Sequence, residues 1–303
     1  MEEIEIKPQK PLAQRIKEMP ASYYLVSVMV AVFALVHIMN FLGYQDYIFN
    51  NFAKSTINIS LDKEYYRLFT AIFLHLNIAH LFFNAMATIY LSKPIEVYFG
   101  KVKFLIIFLV AGLFGSLASF MFVANPSIGA SGGVFGIFGV HIYLYFKNKA
   151  GYKRVFGKDV FTLLGLNLLM GFVIPNIDMW GHVGGVVGGF LAALTLGFSH
   201  KFKFNKNLII GGLLTGALFM ASFTYTNTSY KDYANKTSDL YLQFNQAIES
   251  DDILLFYQVR QATEELIDNP PLLPPTPVID YNLERLMQIF LEHDKNQNTT
   301  NKN

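Results

Sequence analysis

The sequence predicts an all-α polytopic membrane protein with a core of six transmembrane helices, a seventh C-terminal transmembrane helix and a small helical soluble tail. Three observations predict it. Hydrophobic residues make up 52% of the chain and charged residues 15%, against roughly one quarter charged in a typical soluble protein. Seven apolar runs of near-spanning length succeed one another. Lysine and arginine concentrate in alternate connections between those runs, as they do on the cytoplasmic side of a membrane. Cysteine is absent, which excludes thiol catalysis, disulfides and Cys-ligated metals.

The first run, 23–42, has about the twenty residues that a spanning helix needs. The polar stretch before it, 1–20, lacks the pattern of a cleavable leader, so the run is expected to remain as an anchor, and the missing targeting peptide favours a bacterial-type inner membrane. Further runs follow at 71–92, 104–124, 130–146, 160–174, 180–198 and 208–225. Lys7, Lys10, Arg15 and Lys17 precede the first run. Lys93, Lys101 and Lys103 join the second to the third, Lys147, Lys149, Lys153, Arg154 and Lys158 the fourth to the fifth, and Lys201, Lys203 and Lys206 the sixth to the seventh. The opposite connections carry only Lys54, Lys63 and Arg67. The N-terminus is therefore expected in the cytoplasm, with runs two, four and six starting at the outer face and the tail outside. The expected organisation is a cytoplasmic segment at 1–20, the six-helix core at 21–200, the seventh helix at 201–225 and an extracytoplasmic tail at 226–303.

The connection 43–70 is too long for a plain link, and loops of that length are functional or disordered. Tyr44, Tyr47, Ile48, Phe49, Phe52, Ile57 and Ile59 make it apolar enough to dip into the outer interface. Past Thr226 the chain changes character, with six Lys and Arg against twelve Asp and Glu. Residues 239–267 show amphipathic periodicity, 270–277 is a proline-rich extended linker, 280–294 reads as a last short helix, and the end is expected to be disordered.

Ser131 sits among glycines, Gly129-Ala130-Ser131-Gly132-Gly133, at the start of the fourth run. The letters match the G-x-S-x-G of soluble hydrolases, but the strand-to-helix context of that motif is missing. Small residues at a membrane helix also serve simply to let helices approach, so the serine alone decides nothing. Its company decides more. The second run carries His75, His80 and Asn84, and titratable groups inside membrane helices are costly and functional by default. His80 and Asn84, four apart, share a face; His75 points elsewhere. His182 lies two residues inside the sixth run, at a depth matching Ser131. Gly132, Gly136 and Gly139 stripe the fourth run, and Gly181, Gly185, Gly188 and Ala192 the sixth. With these stripes facing, Ser131 and His182 lie about a quarter turn from contact in opposite senses. In parallel helices those rotations bring them to the same side.

A hydroxyl becomes a nucleophile when a neighbouring base takes its proton, and neutral imidazole is the usual base. The oxyanion formed by attack on a carbonyl needs preorganised donors. The Ser131 amide at a helix N-terminus is one, and His80 and Asn84 offer two more. Asp178, four residues before His182, reads chiefly as the cap of the sixth helix.

These residues resemble the rhomboid intramembrane serine proteases over roughly 64–198: Tyr66-Arg67 with Thr70, then His75, His80 and Asn84 in H-x4-H-x3-N spacing, Glu96 and Gly100, Gly129-Ala130-Ser131-Gly132, and Gly181-His182 with Gly185. The resemblance implies a Ser131–His182 catalytic dyad, an oxyanion site at His80 and Asn84, and supporting roles for His75, Arg67, Glu96, Phe135, Gly132 and Gly185. It implies peptide-bond cleavage in or beside transmembrane segments of substrate proteins within a lipid bilayer, with no cofactor, metal or nucleic acid. Two positions depart from the family pattern. Phe135 stands where many members have tyrosine, so it can stack on the imidazole without hydrogen-bonding, and Tyr66 stands where tryptophan is common. The competing readings are a catalytically inactive relative that binds or escorts membrane clients, and a transporter. The transporter reading is weakened because the polar residues cluster at one depth without an internal repeat. A metalloprotease lacks its H-E-x-x-H.

Overall fold

The computed structural model describes residues 19–44, 46–123, 125–156, 159–173, 177–197, 206–250, 252–268 and 285–292. They form an all-α polytopic membrane fold. The segment 1–18, the proline-rich linker and the chain end lie outside the described residues. Each predicted apolar run contains a helix, but the helices are unequal. By length and hydropathy alone Ala21–Phe41 (α1), Lys101–Phe122, Met179–Leu196 and the apolar part of Lys206–Glu249 can cross a membrane, and a bent pair makes a fifth candidate.

The run expected at 71–92 is where the pattern misled. Short helices Tyr47–Phe52 (α2), Thr56–Ser60 (α3) and Arg67–Thr70 (α4) occupy the long connection, and a 3₁₀ turn at Ala71–Phe73 continues α4. The chain then bends by 91° before Ile78–Phe99 (α5) begins. The bend arises because Asn77 is extended and its side chain accepts from the His80 amide at 2.9 Å, a cap that starts a new helix. His75 therefore lies in the break and not on a spanning helix.

α6 (Lys101–Phe122), α7 (Ser131–Lys147) and α10 (Met179–Leu196) form the packed centre. Only 17 residues long, α7 falls short of a full span. Its residues Gly132 to Val140 are nevertheless all buried, so surrounding helices rather than lipid meet its backbone. Phe104, Ile107, Phe108, Ile137, Val140 and Ala193 are fully enclosed in the core. The short α8 (Lys149–Phe156) and the 15-residue α9 (Asp159–Val173) flank it.

α10 meets α7 backbone to backbone. A Cβ on Gly185 would fall on the Gly132 carbonyl, and one on Gly189 on the Gly136 carbonyl. Close approach of this kind needs bare glycines.

Buried polar side chains finish the helix ends. Glu96 on α5 accepts from the Ala21 and Ser22 amides at 2.6 and 3.0 Å, closing the start of α1. Lys103 donates to the Leu196 and Gly197 carbonyls at 2.8 and 3.1 Å, closing the end of α10. Hydrogen bonds to a charged group contribute about 1.5–3 kcal/mol each. Glu96→Ala is accordingly expected to lower the thermal midpoint of the detergent-solubilised protein by about 5 °C or more, since 1 kcal/mol moves a chain of this size by roughly 2–4 °C. Circular dichroism melts of the wild type and variant check this, and an unchanged midpoint would remove the carboxylate from the account of α1.

The seventh run does not stop near Tyr225. α11 (Lys206–Glu249) runs 44 residues without interruption, about 66 Å at 1.5 Å per residue, because neither glycine nor proline occurs between 217 and 249. The amphipathic pattern at 239–267 thus divides between the end of α11 and α12 (Ile253–Asp268). With the helix at 285–292 (α13) they enclose Tyr233, Phe244, Phe256, Val259, Leu286 and Phe290, and Ile57 of α3 packs against the same cluster. Phe223 of α11 meets Tyr65 and Phe120 at ring distances of 5.3 and 5.8 Å.

Candidate active site

Ser131 is the first residue of α7, preceded by the irregular segment 127–129. The amides of the first helical turn have no partner within the helix and face its positive end, so the Ser131 hydroxyl stands beside N–H donors. Gly129 makes room there. Its φ is +124°, and a Cβ on it would meet His80 Nε2 at 2.8 Å, with Ser131 Oγ 3.9 Å from the same point. His80 and Ser131 thus flank one bare Cα.

His182 reaches α7 from α10. Its ring lies flat against Phe135, with centroids 4.0 Å apart and planes 12° from parallel. Phe135 is one helical turn beyond Ser131, so the imidazole is seated on the face of α7 that carries the serine. Among the described residues no hydrogen bond joins Ser131 to His182, and His182 Nδ1 is buried without a partner. Asp178 caps α10, its Oδ1 accepting from the Gly181 amide at 2.8 Å.

His80 and Asn84 lie on one face of α5, the Asn84 amide donating back to the His80 carbonyl at 3.0 Å. His75 is buried, and its ring meets that of His80 edge-on at 5.0 Å. Its Nδ1 lies 3.2 Å from the Phe73 carbonyl. Arg67 is buried away from the serine, bonded to Glu64 and to the Ala53 carbonyl at 3.0 Å. It holds the long connection to α4, together with Thr70 Oγ1 donating to the Phe52 carbonyl at 2.7 Å. Glu96 belongs to the far end of α5 and acts on α1. Gly132 and Gly185 are the points where α7 and α10 touch. His141 is ten residues along α7 from Ser131, beside the Tyr152 hydroxyl at 3.3 Å, too distant to join the site.

A small cavity of about 30 Å³ adjoins Ser131 and is lined by Ser116, Ser119, Ser127, Asp178 and the backbone of Gly129 and Gly181. A space of that size, with polar groups on part of its wall, has room for one or two waters.

Two features escaped the sequence. One is Gly129 as a bare seat for the His80 ring. The other is Lys54, which is wholly buried. The signal for Lys54 was faint: one of three cations, with Lys63 and Arg67, inside a largely apolar connection.

Residues 62–199 match the family model described as the Rhomboid domain. The chain is 42% identical over 151 residues to "Rhomboid protease GluP" of Bacillus subtilis (strain 168), a match covering 50% of this chain and 30% of that protein. It is 32% identical over 150 residues to "RHOMBOID-like protein 7" of Arabidopsis thaliana, covering 48% of each chain. It is also 32% identical over 129 residues to "Inactive RHOMBOID-like protein 8" of the same plant, covering 42% of this chain and 36% of that one. The chain thus spans less than half the length of each of these three relatives.

Proposed function

Because this chain belongs to the rhomboid family, we propose that it is an intramembrane serine endopeptidase that hydrolyses peptide bonds in or next to transmembrane segments of other membrane proteins. The observation that carries the proposal is the seating of His182 on Phe135, one turn from Ser131 at the head of α7. In this reading His182 takes the proton of Ser131 as Oγ attacks the scissile carbonyl. The hydrogen bond between them forms when substrate closes the site, since such contacts are commonly long in a free enzyme. The oxyanion is held by the Ser131 amide, His80 and Asn84. Losing one donor of this kind costs about 3–4 kcal/mol in barrier. His182 then protonates the leaving amine, and a water from the cavity beside Ser131 hydrolyses the acyl-enzyme with the same histidine as base. His75 backs the His80 ring, and Phe135 fixes the imidazole plane.

The charge pattern supports a multi-pass protein of the cell membrane with a cytoplasmic N-terminus and an external tail. Ser131 would then lie near the outer face.

A second reading, an inactive rhomboid-like protein that binds or escorts membrane clients, draws support from the similarity to an inactive plant relative. Membranes containing the full chain are to be treated with a fluorophosphonate. The protease reading expects covalent labelling of the wild type, stoichiometric with folded protein, and none in Ser131→Ala. A folded wild type that stays unlabelled and leaves transmembrane reporters intact would establish the second reading.

A further inference from the structure

We propose that Lys54 is a positioning residue for Ser131: it ties the first long connection to the segment that delivers the serine to the head of α7. The inference rests on the serine chemistry proposed above.

Residues 125–130 lead from the end of α6 into α7 without a helix of their own, and Pro126 removes one of their amide donors. The last carbonyls of a helix have no partner inside it. Here the Lys54 ammonium supplies one, donating to the carbonyls of Val123 at 2.7 Å and Asn125 at 2.8 Å. Thr56 adds a hydroxyl to the Val123 carbonyl at 3.1 Å. The Lys54 backbone makes an isolated antiparallel bridge with Ser127, its amide and carbonyl bonding those of Ser127 at 3.0 and 3.1 Å. Ser127 is also pinned to Ser119 of α6, hydroxyl to hydroxyl at 2.8 Å. The Gly129 amide then bonds the Ala71 carbonyl at 2.9 Å. Residues 123, 125, 127 and 129 are each fixed, and Ser131 comes next. One side chain supplies the contacts at the first two and its backbone those at the third.

Burying an ammonium is expensive unless its donors are satisfied. The burial of Lys54 pushes its pKa down to about 8, and the Asp178 carboxylate pulls it part of the way back. An apolar side chain would fill the same space without that desolvation cost, but would leave the Asn125 carbonyl unpaired and the Val123 carbonyl with the Thr56 hydroxyl alone. The segment could then shift, and a displacement of about 1 Å at a nucleophile can slow a reaction by 10²-fold.

The test uses the full chain in liposomes with a single-span reporter substrate, comparing wild type, Lys54→Met and Thr56→Val. Three quantities are read: kcat and KM, the rate of Ser131 labelling by a small fluorophosphonate, and the thermal midpoint. Positioning predicts that Lys54→Met lowers kcat and labelling rate together by about tenfold or more, with KM within about twofold. A purely structural role would lower the amount of folded protein and its midpoint while leaving the folded fraction at wild-type rates, and that result overturns the proposal. If Lys54→Met does not fold, Thr56→Val decides. Labelling about two- to fivefold slower at an unchanged midpoint supports the proposal, and unchanged labelling overturns it. A wild type that neither cleaves nor labels removes the protease reading, and this inference with it; a wild type that labels as fast as Lys54→Met removes this inference alone.

Discussion

Replacing Ser131 by alanine is expected to take cleavage of a co-expressed transmembrane reporter to background, a loss of at least about 10⁴-fold, with membrane insertion and thermal midpoint unchanged. The size follows from the way nucleophile and base act as a unit: removing either member of such a pair costs about as much as removing both. His182→Ala should therefore match Ser131→Ala, and the double variant should be no slower than either. Geometry says that the serine change leaves the fold undisturbed. Ser131 makes no side-chain hydrogen bond among the described residues, and the residue lies half-buried at a helix start. Quantitative immunoblotting of reporter fragments gives the answer. Full activity in both single variants would end the protease assignment, and activity lost only in proportion to protein level would make both residues structural.

The second large effect lies where α7 and α10 touch. Gly189→Ala places a methyl against the Gly136 backbone, carbonyl and Cα together, and backbone cannot rotate away as a side chain can. An alanine inside a helix is ordinarily more stable than glycine by roughly 0.5–1 kcal/mol. Here the sign should reverse. Overpacking of this kind costs about 1–3 kcal/mol, occasionally more, and the helices must part to relieve it. The variant should melt about 5 °C or more below the wild type, and because His182 rides on α10 seven residues before Gly189, fluorophosphonate labelling of Ser131 should fall too. Gly216→Ala is the control: nothing lies within 4 Å of a Cβ at that position on α11, so its melt should equal or slightly exceed the wild type. Equal stability in the two variants would mean that the glycine contact is not what holds α10 to α7.

Much of this molecule was legible before its coordinates. Apolar runs of spanning length located every major helix, because a segment in hydrocarbon must satisfy its own backbone. The spacing of His80 and Asn84 put them on one face, since a helix repeats every 3.6 residues. Glycine stripes named the two helices that meet, because only bare backbone permits so close a contact, although Gly188 of the expected stripe packs against Phe114 of α6 and Gly189 takes its place against α7. What misled was hydropathy at a bend. Residues 71–74 are as apolar as a helix interior, yet Asn77 caps the chain just beyond them, where it turns by 91°. Hydropathy also could not see where α11 ends, since its later residues turn polar without breaking the helix.

Residue type, period and charge bias, which are local properties, determined the membrane class, the helix positions and the identity of the candidate serine, histidines and asparagine. Only the tertiary structure decided that His182 lies flat on Phe135, that the His80 ring occupies the space left by Gly129, and that Lys54 closes the end of α6 from 69 residues away in sequence. Those outcomes depend on which backbone atoms come within a few ångströms of one another across separate helices, and no pattern within a single helix encodes that distance.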